Sequence, residues 1–152
     1  MINPYTTLVA TAATAGAVAA ADLATKSWAR AHAPDPGALP DPRTLRPAWV
    51  HGEHPGPPAL GAVVAIVPAA VGAGLAAALT RFAGPSPLVI PAAALLATGA
   101  VLNGAELAVR GSNTNPIDVA GIEFNVADLA VVAGAALLAL SVVPAAARLL
   151  VR

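Results

Sequence analysis

The amino-acid sequence predicts an all-α integral membrane protein, with four transmembrane helices and a Pro-rich extramembrane loop between the first and second. Three observations predict it. Hydrophobic residues make up 57% of the 152 and charged ones only 11%, where an ordinary soluble domain carries about 25%. The sixteen charged side chains gather in a few places, so that residues 1–21, 59–80, 82–105 and 129–147 contain none. Helix-breaking residues collect between those stretches. A soluble fold of this size needs more polar surface, and a disordered chain is poor in apolar residues. The eight basic and eight acidic residues cancel, so no basic field argues for nucleic acid. With no cysteine, disulfides, thiolate metal sites and a cysteine nucleophile are excluded.

The chain reads as a single membrane domain over residues 1–152, with spans at about 6–24, 59–80, 88–109 and 126–147. A stretch of about 20 residues, at 1.5 Å rise each, covers one hydrocarbon thickness of roughly 30 Å. The first span, Thr6–Ala24, offers small residues for signal cleavage at Ala17–Ala21. No Lys or Arg precedes it, and its apolar run exceeds a typical signal core, so it reads as a retained helix. Residues 25–58 read as an extramembrane loop, because eight of the fifteen prolines lie between Pro34 and Pro58. Within it, His51-Gly-Glu53-His54 lacks the spacing that sets two ligands on one helix face, so a solvated loop is expected and no metal.

The second span, Ala59–Thr80, contains Pro68, which should kink it. Its small residues Gly61, Gly72, Gly74 and Ala76–Ala78 fit close helix packing, and they equally fit a composition rich in Ala and Gly. Arg81–Pro87 is a tight connection, and Pro91 falls in the first turn of the third span, Leu88–Val109, where its missing N–H is harmless. The fourth span, Val126–Ala147, follows the loop Arg110–Phe124. An even number of spans puts both termini on one side. Arg81, Arg148 and Arg152 share that side, against Lys26, Arg30, Arg43, Arg46 and Arg110 on the other, a margin that slightly favours a cytoplasmic Pro-rich loop.

Ionisable groups inside apolar spans are costly and mark function by default. Glu106 lies near the end of the third span and Asp128 near the start of the fourth, each about one helical turn from the loop that joins them. Equal depth on one side is the expectation. The local sequences match: Asn103-Gly-Ala-Glu106 and Asn125-Val-Ala-Asp128 each place an asparagine three residues before the acid, on the same helix face. Bland readings compete with this one. Asn125 and Asp128 also form an N-capping pattern, and Glu106 has Arg110 at i+4 as an ion-pair partner. Two carboxylates close together in a poorly solvated site share a proton, which is the basis of aspartic-peptidase chemistry. That chemistry needs no cofactor.

These residues resemble the signal peptidase II family, the lipoprotein signal peptidases. Phe124-Asn125-Val126-Ala127-Asp128 is similar to the family's FNxAD motif, and Ile117-Asp118-Val119 to its valine-aspartate-phenylalanine segment. Gly99-Ala-Val-Leu-Asn103-Gly-Ala-Glu106 resembles its GGALGNxxDR segment, and Asp22-Leu-Ala-Thr-Lys26 its DxxxK signature. The resemblance implies cleavage of signal peptides from lipid-modified prolipoproteins, within the plasma membrane of a bacterium. It implies cytoplasmic termini and an active site toward the outer face, which is followed here over the arginine count. It implies Asp128 and Glu106 as the catalytic pair. The helix N-terminus favours an ionised Asp128, and Glu106 would hold the proton. Asp22, Lys26, Asp118, Asn103 and Asn125 would support the site or position substrate, with Asp22 and Lys26 paired at i+4. Partners are the prolipoprotein and membrane lipids; the oligomeric state is left open.

The sequence departs from the family pattern in three places. Glu106 stands for aspartate, Leu107 for the arginine after it, and Trp49-Val-His-Gly-Glu53 occupies the place of an expected NxG segment. One methylene moves a carboxylate by about 1.5 Å, and a misplacement of about 1 Å can cost on the order of a hundredfold in rate. A second reading follows: a catalytically impaired paralogue that binds lipoproteins or another membrane protein. A transporter or channel subunit is a third, unsupported by any broken-helix repeat.

Overall fold

In a computed structural model, which describes residues 3–32, 57–83, 86–119 and 122–150, helices form where the four apolar stretches predict them. They are α1 (Pro4–Ala31), α2 (Pro58–Ala83), α3 (Val89–Arg110) and α4 (Val126–Leu150), and all four are long and apolar enough to cross a membrane. The protein is an all-α integral membrane protein, and among the described residues a short hairpin lies between α3 and α4.

The helix ends follow from local chemistry. Asn3 caps α1, its Oδ1 accepting from Tyr5 N at 2.9 Å, with Pro4 in the first turn where no N–H is needed. Gly111 ends α3 in the left-handed conformation at φ 74°, its N–H donating to Leu107 O at 2.9 Å. Asn125 and Asp128 cap α4 reciprocally. Asp128 N donates to Asn125 Oδ1 at 2.8 Å, and Asn125 N to Asp128 Oδ2 at 3.1 Å. The capping pattern read in the sequence is therefore present, in the same two residues that carry the motif.

Two boundaries differ from expectation. α1 continues to Ala31, so residues 25–31 are helix, and the loop expected from residue 25 starts later. The charges at 22, 26 and 30 look like an exit from the membrane, but at four-residue spacing they share one face, and that face turns into the bundle. His32, placed with the loop by composition, stacks on Trp28 at the end of α1, ring centroids 5.0 Å apart. The second difference is the hairpin in the loop after α3. There β1 (Ile117–Val119) pairs antiparallel with β2 (Ile122–Phe124), with Ile117 opposite Phe124 and Asp118 opposite Glu123.

α3 is the central helix, packed against the other three. Its contacts with α2 and α4 run through glycines. A methyl at Gly104 would fall 2.5 Å from Gly61 O, and one at Gly61 would fall 2.5 Å from Gly104 O. α2 and α3 therefore touch backbone to backbone near the start of α2. Gly72 packs on Leu96, while Gly74 has nothing near it, so the small residues of α2 divide between packing and mere composition. Gly134 sits against Ala92 O and Leu96, and Gly99 against the Ala127 carbonyl. Val89, Ala92, Leu96 and Leu138 form the apolar core between α3 and α4, with Ala76 and Leu79 of α2 against it. Val63, Ile66, Val67 and Val71 of α2, and Val132, Leu140 and Val143 of α4, are exposed, as side chains facing lipid are. α2 runs unbroken through Pro68.

Candidate functional site

Among the described residues, the buried charged and amide side chains meet at one end of the bundle, where the end of α1, the end of α3, the α3–β1 loop and the start of α4 converge. α1 contributes Asp22, Lys26 and Arg30 from one face. Asp22 and Lys26 are 1% and 2% exposed and form the i+4 pair, Oδ2 to Nζ at 2.9 Å. The other Asp22 oxygen accepts from Ala127 N at 3.0 Å, so an acid on α1 satisfies a backbone donor in the first turn of α4. Lys26 also lies 2.9 Å from Glu106 Oε2 and donates to Asn103 Oδ1 at 3.1 Å. Its ammonium thus lies among two carboxylates and one amide oxygen, and it hydrogen-bonds to the amide.

Glu106 does not pair with Arg110, which is exposed; it turns toward α1. Arg30 NH1 reaches Glu106 Oε1 at 2.9 Å and Thr114 Oγ1 at 3.1 Å, and the Thr114 hydroxyl donates to the same Oε1 at 2.6 Å. Asp22, Lys26, Glu106 and Arg30 hold two negative and two positive charges, so this buried cluster is neutral. Groups of this kind are tolerated inside a membrane bundle only when paired in this way.

Asp128 stands apart from that cluster. Asn103 Nδ2 donates to its Oδ1 at 2.6 Å, and Asn125 N to its Oδ2. The orientation of the Asn103 amide follows from its neighbours. Reversed, it would point NH₂ at the Lys26 ammonium and oxygen at a carboxylate. Asn125 is fully buried and its Nδ2 donates to Asn103 Oδ1 at 3.1 Å and Asn115 Oδ1 at 2.8 Å. The two acids are therefore joined through Asn103 and Lys26 rather than face to face.

Two expectations are corrected by this geometry. Equal depth is one. Gly99 lies against Ala127, so Asp128 stands level with the turn around Gly99, and Glu106 is seven residues further along α3. At 1.5 Å per residue the two backbone positions differ by about 10 Å along the helix. The proton on Glu106 is the other, because both its oxygens already face cations and a hydroxyl donor. Of the remaining candidates, Asn103, Asn125, Asp22 and Lys26 come together in one network. Asp118 lies on β1 opposite Glu123, and its side chain is outside the described residues. His51, Glu53, His54 and Trp49 also lie outside them. Among the described residues, no three acids or histidines come together as metal ligands.

Three residues of the network were not singled out by sequence reasoning. Arg30 had a signal, since it continues the four-residue spacing of Asp22 and Lys26. Thr114 and Asn115 had none, because the loop's path alone brings them back over α3 and α4.

A four-helix membrane protein with a charged network buried at one end of its bundle is the class that fold and site define. Residues 14–144 match the family described as signal peptidase (SPase) II, and the chain belongs to that family. No curated protein and no solved structure gives a significant match.

Proposed function

We propose that this protein binds the signal segment of a lipid-modified prolipoprotein, at the bundle end where Asp128 lies, and is impaired as a peptidase. The observation that carries this reading is the state of Glu106. Its carboxylate is taken up by Lys26, Arg30 and Thr114, and Asp128 is not among its partners. Family membership supplies the substrate class. It also supports the bacterial plasma membrane, cytoplasmic termini and a site toward the outer face.

Active cleavage as an aspartic endopeptidase is the second reading, and one observation favours it. Asp128 is only partly buried and is held by two donors at a helix N-terminus, where its carboxylate is placed to act on water.

One experiment separates the two. The protein in lipid is mixed with a diacylglyceryl prolipoprotein peptide carrying a photo-crosslinker beside its lipidated cysteine. Binding without chemistry gives a crosslinked adduct and no shortened peptide. A shortened product that disappears in Asp128→Asn replaces the first reading by the second. Absence of both adduct and product sinks both.

A further inference from the structure

We infer that Arg30 is a positioning residue for the Asp128 site, acting through Glu106 and Lys26 on the Asn103 amide. The path is continuous. Arg30 NH1 holds Glu106 Oε1, Glu106 Oε2 lies against Lys26 Nζ, Lys26 holds Asn103 Oδ1, and Asn103 Nδ2 holds Asp128 Oδ1, with every step between 2.6 and 3.1 Å. Charge balance gives the path its direction. Lys26 alone would face two carboxylates, Asp22 and Glu106, and a lone ammonium cannot neutralise both. Arg30 supplies the second positive charge, and Lys26 donates its hydrogen bond to Asn103.

Remove Arg30, and Glu106 must draw harder on the ammonium, at the expense of the Asn103 oxygen. The amide oxygen then loses one of its two donors, keeping only Asn125 Nδ2, and the amide's hold on Asp128 loosens. The position immediately after Glu106, where the resembled motif has arginine, is Leu107. In this chain the cation beside the acid comes from α1 instead. At 26% exposure Arg30 is the most accessible member of the cluster, yet its guanidinium binds both the helix acid and the Thr114 hydroxyl of the following loop.

The inference uses the proposed function only for what Asp128 faces, so its test reads the network and not the ligand. The full chain in lipid nanodiscs, labelled with ¹⁵N-asparagine, shows the Asn103 side-chain amide signal, assigned through Asn103→Gln. Arg30→Leu is expected to move that signal toward the position of a free amide. Arg30→Lys, which keeps the charge, should leave it near wild type, and Arg110→Leu should not move it. An unmoved signal in Arg30→Leu overturns the inference, as does an equal displacement in Arg30→Lys. Should Arg30→Leu fail to fold, Thr114→Val removes the other support of Glu106 Oε1. A smaller displacement in the same direction supports the path, and none overturns it. Failure of prolipoprotein crosslinking leaves these outcomes standing, so the two conclusions fail separately.

Discussion

The α3–α4 pair is held differently at its two ends. At one, Val89, Ala92, Leu96 and Leu138 meet as apolar surface. At the other, Asn103, Asn125 and Asp128 join with Asp22 and Lys26 of α1 through hydrogen bonds and ion pairs. In water the apolar end would dominate. In a bilayer, lipid tails compete for the same contacts, so a leucine discriminates weakly between a helix and its solvent. A polar atom in hydrocarbon must find its partner, and it finds one only in one register. The polar end therefore sets how the helices align, and the apolar end fills the space that alignment leaves.

That contrast can be broken at several points, beginning with the cation on which the polar end turns. Lys26→Met leaves Asp22 and Glu106 buried without the ammonium between them. Breaking a buried pair typically costs about 3–5 kcal/mol, and thermal unfolding in detergent should show a loss of that order. A variant as stable as wild type would mean the polar end is dispensable. Gly99→Val places a side chain against the Ala127 carbonyl and Val131, a clash with backbone that rearrangement of flexible atoms cannot relieve. Overpacking of this kind costs about 1–3 kcal/mol, and the same measurement should place it next.

Leu138→Ala probes the apolar end. It should cost about 2 kcal/mol, the low end of a buried leucine truncation, since lipid replaces part of what is lost. A loss larger than that of Lys26→Met would reverse the comparison. Asn125→Ala removes the cap of α4 and should cost about 1 kcal/mol, read by hydrogen exchange at the Asp128 amide. The amide of Ala127 keeps its bond to Asp22, so exchange there should stay slow.

Most of the fold was legible because the bilayer imposes a length and a composition on each span. The starts of α2, α3 and α4 fall within a residue or so of where the apolar runs begin. The end of α1 was not legible, because a charge reads as an exit from the membrane until its partner is known. Lys26 and Arg30 stay in the helix, where Glu106 on another helix meets both. The same gap hid the orientation of Glu106. The paired spacing of Asn103/Glu106 and Asn125/Asp128 suggested one carboxylate site. Which way Glu106 points depends on Arg30, 76 residues distant, and on Lys26 of the same helix as Arg30, and no local pattern carries that. The hairpin was hidden for a different reason. Its two strands are three residues each, too short to display an alternating pattern.

The ion pair between Asp22 and Lys26 needs nothing beyond its own helix. During synthesis α1 is made well before α3, and for that interval Glu106 does not yet exist. A lysine entering lipid alone would resist insertion, whereas one already matched to an aspartate a turn earlier enters as a dipole. In the folded chain Asp22 sets one oxygen against Lys26 and offers the other to the first turn of α4.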